Sequence, residues 1–100
     1  MSDLGGCRID VWLWRARFFK TRTLAASFVE EGRVRLSRTG AETRIDKPSR
    51  NVKVGEGIVF AMEGKVVAVR IEALGDRRGP PAEARRLYSS LGEPLAPLTD

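Results

Sequence analysis

From residue 8 to residue 31 the apolar positions recur at helical spacing. Ile9, Leu13 and Ala16 stand at i, i+4 and i+7, with Trp12 and Phe19 flanking the stripe. That period predicts an amphipathic helix over Arg8–Phe19. Lys20-Thr21 breaks the pattern, and Thr21 is placed to cap a second helix over Arg22–Glu31 by accepting a free backbone N–H. The core face of this second helix is Leu24, Ala25, Phe28 and Val29. Gly32 supplies the left-handed residue that commonly follows a helix end. The period then changes to two. In Arg33-Val34-Arg35-Leu36-Ser37, Val34 and Leu36 point to the core and the arginines outward. Arg38–Lys47 is polar, contains Gly40 and reads as a loop, closed by Pro48-Ser49. Val52 and Val54 lead to a turn at Gly55-Glu56-Gly57. Ile58–Met62 and Lys65–Leu74 read as strands joined by a Glu63-Gly64 hairpin, with Val67, Val69 and Ile71 on one face. Gly75–Gly79 is a charged turn. Pro80-Pro81 opens a last short helix through Tyr88, with Ala84, Leu87 and Tyr88 packing inward. Met1–Cys7 and Gly92–Asp100 read as loose ends. The predicted class is α+β: two N-terminal helices packed on a small antiparallel sheet, with a short C-terminal helix.

Composition removes most chemistry. The chain has 100 residues, enough for one domain, and 42% of them are hydrophobic, which favours a folded core over disorder. It has no His and one Cys, Cys7. A Cys/His zinc site and a Ser-His or Cys-His nucleophile pair are therefore excluded. A lone Cys makes no internal disulfide, which fits a reducing cytoplasm. No apolar run approaches the roughly 20 residues that cross a bilayer, and Met1–Arg8 lacks a secretory-signal pattern. Neither Gly55-Glu56-Gly57 nor the Gly75–Gly79 turn has the spacing of a dinucleotide or P-loop motif. No cofactor or metal is expected, nor contact with a membrane.

Charge points to a partner. The net charge is +5, from 18 Lys and Arg against 13 Asp and Glu. Twelve of those cations and only five of the acids lie between Arg8 and Lys53. A generic solvated surface mixes the two signs, as the second half of the chain does. Arg8 and Arg15 share a face of the first helix. Lys20, Thr21, Arg22 and Thr23 open the second, where free N–H groups and the positive dipole end favour phosphate. Arg33 and Arg35 project from the next strand, and Ser37, Arg38 and Lys47 extend the patch. Arginine forks, hydroxyls and backbone donors suit the phosphates of structured RNA. Asp10 in the first helical turn favours the dipole. Of Trp12 and Trp14, at least one belongs in the core, and Trp14 is the better candidate for a surface role.

The residues Arg8-Ile9-Asp10-x-x-Leu13, Lys20-Thr21-Arg22, Gly32-Arg33-Val34-Arg35-Leu36, Lys47-Pro48-Ser49 and Val54-Gly55-Glu56 resemble the S4-type (alpha-L) RNA-binding domain. Trp12-Leu13-Trp14-x-x-Arg17-Phe18-Phe19, and Arg78-Gly79-Pro80 with Glu83-Ala84 and Leu87-Tyr88, are similar to its ribosome-associated heat-shock protein fifteen branch. Here Leu36-Ser37-Arg38 leads into a longer loop than the Asn-Gly turn usual in the family. The resemblance implies an RNA-binding domain over residues 8–75, followed by a short helix and loose tail over 76–100. It implies a cytoplasmic, non-catalytic protein that binds ribosomal RNA on the free large ribosomal subunit, with the tRNA of a stalled nascent chain as a further partner. The RNA-facing set it implies is Arg8, Asp10, Lys20, Thr21, Arg22, Thr23, Arg33, Arg35, Ser37 and Lys47, to which the shared helix face adds Arg15. A monomer is expected. The alternatives are a DNA-binding helix-turn-helix protein and an RNA-binding accessory to an RNA-modifying enzyme. Glu30 and Glu31 on the second helix oppose the DNA reading by repelling phosphate.

Overall fold

The computed structural model describes residues 6–38 and 40–91. Residues 1–5 and the Gly92–Asp100 tail, expected to be loose, lie outside the described residues. Short helical runs begin and end where capping chemistry allows. Helix α1 spans Ile9–Arg15 and helix α2 spans Arg22–Glu30. The first helix is shorter than its apolar pattern predicts, because the chain turns left-handed at Arg17, with φ +69°. Phe18 N–H donates to Leu13 O at 3.1 Å and Arg17 N–H to Trp14 O at 3.0 Å, the two bonds of a Schellman ending. Thr21 caps α2 as expected, its Oγ1 accepting from Leu24 N–H at 3.0 Å. Gly32 ends α2 with φ +74°.

Five strands form one antiparallel sheet, in the spatial order Ala41–Ile45, Val34–Arg38, Gly57–Met62, Lys65–Ile71 and Tyr88–Ser90. They are β2 Val34–Arg38, β3 Ala41–Ile45, β5 Gly57–Met62, β6 Lys65–Ile71 and β7 Tyr88–Ser90. A second, two-stranded ribbon joins β1 Cys7–Arg8 to β4 Asn51–Val52. Four of these strands depart from expectation. Ala41–Ile45 is a strand, not a loop: it runs along β2 in register from Val34↔Ile45 to Arg38↔Ala41, with Gly40 at φ +86° in the turn. Only Ile45 of it is buried, so it has no hydrophobic alternation to betray it. Cys7–Arg8 pairs with Asn51–Val52, and Tyr88–Ser90, at the end of the region expected to stay helical, pairs with Lys65–Ile71. The Glu63-Gly64 hairpin is present, with both residues at positive φ.

The strand expected to run to Leu74 stops at Ile71, because the following carbonyls serve α1. Ala73 O accepts from Trp12 Nε1 at 2.9 Å, and Leu74 O and Gly75 O accept from Arg15. Pro81–Ala84 forms the short helix α3, continued as a 3-10 turn over Arg85–Leu87. The core lies between the helices and one face of the sheet. Ile9, Trp12, Leu13, Ala25, Phe28 and Val29 meet Val34, Leu36, Ile45, Ile58, Phe60, Val69 and Ile71. Leu24, expected in that core, is 51% exposed. Leu24 lies in the first turn of α2, and Ala25, Phe28 and Val29 form the buried face of that helix. No described helix is long and apolar enough to cross a membrane.

Candidate nucleic-acid interface

The start of α1 is anchored on the turn before β4. Ile9 N–H donates to Arg50 O at 2.8 Å and Asp10 N–H to Pro48 O at 3.3 Å. This brings Lys47-Pro48-Ser49-Arg50 beside Arg8 and Asp10. Asp10 is only 3% exposed. Its two oxygens accept from Arg8 Nε at 3.1 Å and Nη2 at 2.9 Å, a bidentate pair. Those bonds hold the Arg8 guanidinium more firmly protonated than usual while its side chain stays half-exposed. Asp10 also lines a shallow pocket with Arg22, Thr23 and Ala26, between the first turns of the two helices. Thr21 is occupied as the cap of α2, and Lys20 is exposed just before it.

A second pocket, on the other side of the Pro48 turn, is lined by Arg44, Ile45, Asp46, Lys47 and Arg50. Arg35 and Arg44 stand directly opposite each other on β2 and β3, both exposed. Like charges at such a position repel, and a bridging anion removes the penalty. The Arg44 side chain leans over Gly32, close enough that a Cβ there would meet Cδ at 3.5 Å. Arg8, Arg33, Arg38 and Arg77 each have a carboxylate partner. Among the described residues, Lys20, Arg22, Arg35, Arg44, Lys47 and Arg50 have no ion pair.

The structure thus brings together Arg8, Asp10, Arg22, Thr23 and Lys47, with Thr21 and Lys20 at the rim. Arg33 is partly spoken for: its guanidinium lies 4.4 Å over the Phe28 ring and pairs with Glu31. Ser37 is half-buried opposite Glu42 and Gly57. Arg15 is not part of the cluster. Its Nη1 donates to Gly75 O at 2.7 Å and Leu74 O at 3.4 Å and approaches Cys7 Sγ at 3.8 Å, a fastening for the segment after β6. A seven-residue spacing from Arg8 puts Arg15 on one helical face, but long side chains on that face reach different neighbours. Burial raises the Cys7 thiol above its ordinary value, opposed by Arg15, so the thiol stays neutral. Arg44 and Arg50 escape sequence reasoning because the segment holding Arg44 reads as a loop. Their only signal is the charge skew.

Known proteins share this fold. The S4 domain model matches residues 7–58. A heat shock protein 15 homolog of Haemophilus influenzae is 37% identical over 81 residues, 81% of this chain and 58% of that protein. The chain thus spans less than two thirds of that relative. The RQC P-site tRNA stabilizing factor of Listeria innocua is 33% identical over 86 residues, 86% of this chain and 87% of that one. The structure of Vibrio cholerae heat shock protein 15 superposes with a TM-score of 0.74 at 37% identity, covering 86% of this chain and 82% of that one. That relative is trimeric, which overturns the expectation of a monomer. Net charge and composition carry no information on complementary surfaces, and Leu24, Val54 and Val66 are large apolar side chains left exposed.

Proposed function

The chain belongs to the S4 domain family, within the group that holds heat shock protein 15 and the RQC P-site tRNA stabilizing factor, and from that premise we propose that it is a non-catalytic cytoplasmic protein that binds structured ribosomal RNA. The observation that carries this reading is the set of six cations without ion pairs around the α1 and α2 N-termini and the β2–β3 hairpin. Six exposed cations without a carboxylate partner fit a polyanion. Arg22 and the free N–H groups of α2 take one phosphate. Arg35 and Arg44 bracket another. Asp10 holds Arg8 in place as a fork. Lys20, Thr23, Arg33, Ser37 and Lys47 complete the contact set within residues 8–75. Specificity arises from the shape of the RNA and its 2′-hydroxyls rather than from base reading.

The name of one relative, a P-site tRNA stabilizing factor, adds tRNA to the target. Following the family resemblance of the sequence, the RNA in this proposal belongs to a free large ribosomal subunit that still carries a nascent chain on tRNA, and binding serves the recycling of stalled subunits. The trimer of the Vibrio cholerae relative brings self-association into the same proposal. Sucrose-gradient sedimentation of a lysate at low and high salt, read by immunoblot, tests it. Co-migration with free large subunits at low salt, lost at high salt, is the expected outcome. Migration only at the top of the gradient, or with small RNAs, removes the large-subunit role.

A further inference from the structure

Two stretches singled out in the sequence take no part in this interface, yet they meet in space. They are Trp12–Phe19 and the Arg78–Tyr88 segment. Arg17 holds the left-handed position after α1, with φ +69°, where glycine is the usual residue. Its Nε donates to Gly79 O at 2.7 Å. Arg78 reaches back, its Nε donating to Trp14 O at 3.1 Å and Nη2 to Phe19 O at 3.4 Å. Between the two stretches lies a cleft lined by Arg17, Phe18, Pro81, Ala84, Arg85 and Tyr88. The rings of Phe18 and Tyr88 are 4.9 Å apart between centroids, and both are half-buried. Arg17 and Arg85 are exposed, and neither has a carboxylate partner among the described residues. Glu83, the nearest acid in sequence, is held by Arg77 at 2.8 Å. The cleft therefore offers an aromatic wall beside the exposed Arg85 and the Nη groups of Arg17, whose Nε is held by Gly79 O, with no acid in its lining.

We infer that this cleft receives one unpaired nucleotide of an RNA bound to the protein, its base against the Phe18–Tyr88 wall and its phosphate between Arg17 and Arg85. Unpaired bases stack on aromatic and guanidinium planes, and arginine forks match phosphate oxygens. An acidic peptide satisfies the two charges but leaves the ring wall without a planar partner. The inference rests on the RNA-binding reading and extends it to the far end of α1, about 13 Å along the axis from Arg8.

Photo-cross-linking of the full chain to a single-stranded RNA carrying 4-thiouridine, followed by mass spectrometry, tests it. Cross-links at Phe18 or Tyr88 are expected. The variant Arg85→Ala, which leaves the Arg17–Gly79 bond that holds the cleft in place, should bind that oligonucleotide about fivefold more weakly. Arg22→Ala should weaken structured ribosomal RNA while leaving the cross-links in place. No cross-link at either ring in a protein that binds ribosomal RNA overturns the inference and leaves the RNA-binding reading intact. So does displacement at the cleft by a glutamate-rich peptide where the oligonucleotide has no effect. Failure to bind any RNA overturns both.

Discussion

Asp10 and Glu56 are the buried charged side chains of the described chain, at 3% and 7% exposure, and both serve an arginine. A carboxylate taken out of water is tolerated only when its oxygens are bonded. Asp10 bonds both N–H groups of one face of Arg8. Glu56 accepts from Lys53 N–H at 2.9 Å and from the Nε and Nη2 of Arg38. In each pair the arginine stays about half-exposed, so the acid fixes the direction of a cation without hiding it. Glu56→Ala leaves the Lys53 N–H without its acceptor and should cost about 1–3 kcal/mol in urea unfolding. Glu56→Gln keeps an acceptor for that N–H and should cost clearly less. Equal losses would contradict this assignment. From the sequence alone Asp10 is legible as a helix-dipole residue. Its grip on Arg8 is not, because that depends on how tightly the backbone enters α1.

At the scale of elements, α2 shows why a candidate contact residue needs its structural duty separated from its functional one. Thr21 Oγ1 is committed to the Leu24 N–H. Thr21→Ala should therefore lower stability by about 1 kcal/mol, with Thr21→Ser restoring it. RNA affinity should fall less for Thr21→Ala than for Arg22→Ala; the reverse order in a filter-binding assay would make Thr21 a direct contact. The helices, the β5–β6 hairpin and the Gly32 ending were legible, because each has a period or a cap written in side chains. β1, β4 and β7 were not, because two- and three-residue strands hold too few side chains to show a period. β3 was hidden for a different reason. Ala41, Glu42, Thr43 and Arg44 are all exposed, so pairing with β2 is set by backbone bonds and by the turn at Gly40. With β3 hidden, the position of Arg44 opposite Arg35 is hidden too. The neighbours of Arg15 are hidden from the sequence because its partners, Leu74 and Gly75, are 59 and 60 residues away.

Across the whole molecule the charges divide by use. Arg15, Arg17 and Arg78 bond backbone carbonyls and tie the C-terminal segment to α1. Arg8, Arg33, Arg38 and Arg77 are held by carboxylates. Among the described residues the other cations have no ion pair; six of them, Lys20, Arg22, Arg35, Arg44, Lys47 and Arg50, lie in the half of the chain that carries the charge excess and are the ones assigned to the RNA. The most direct test of this division is the salt dependence of binding to a structured ribosomal RNA fragment. If about five phosphates are neutralised, log K should fall with log salt at a slope of about −4, and the Arg35→Ala/Arg44→Ala variant should flatten that slope by roughly one to two. A slope near zero, or one that the variant leaves unchanged, would contradict an interface built from these cations.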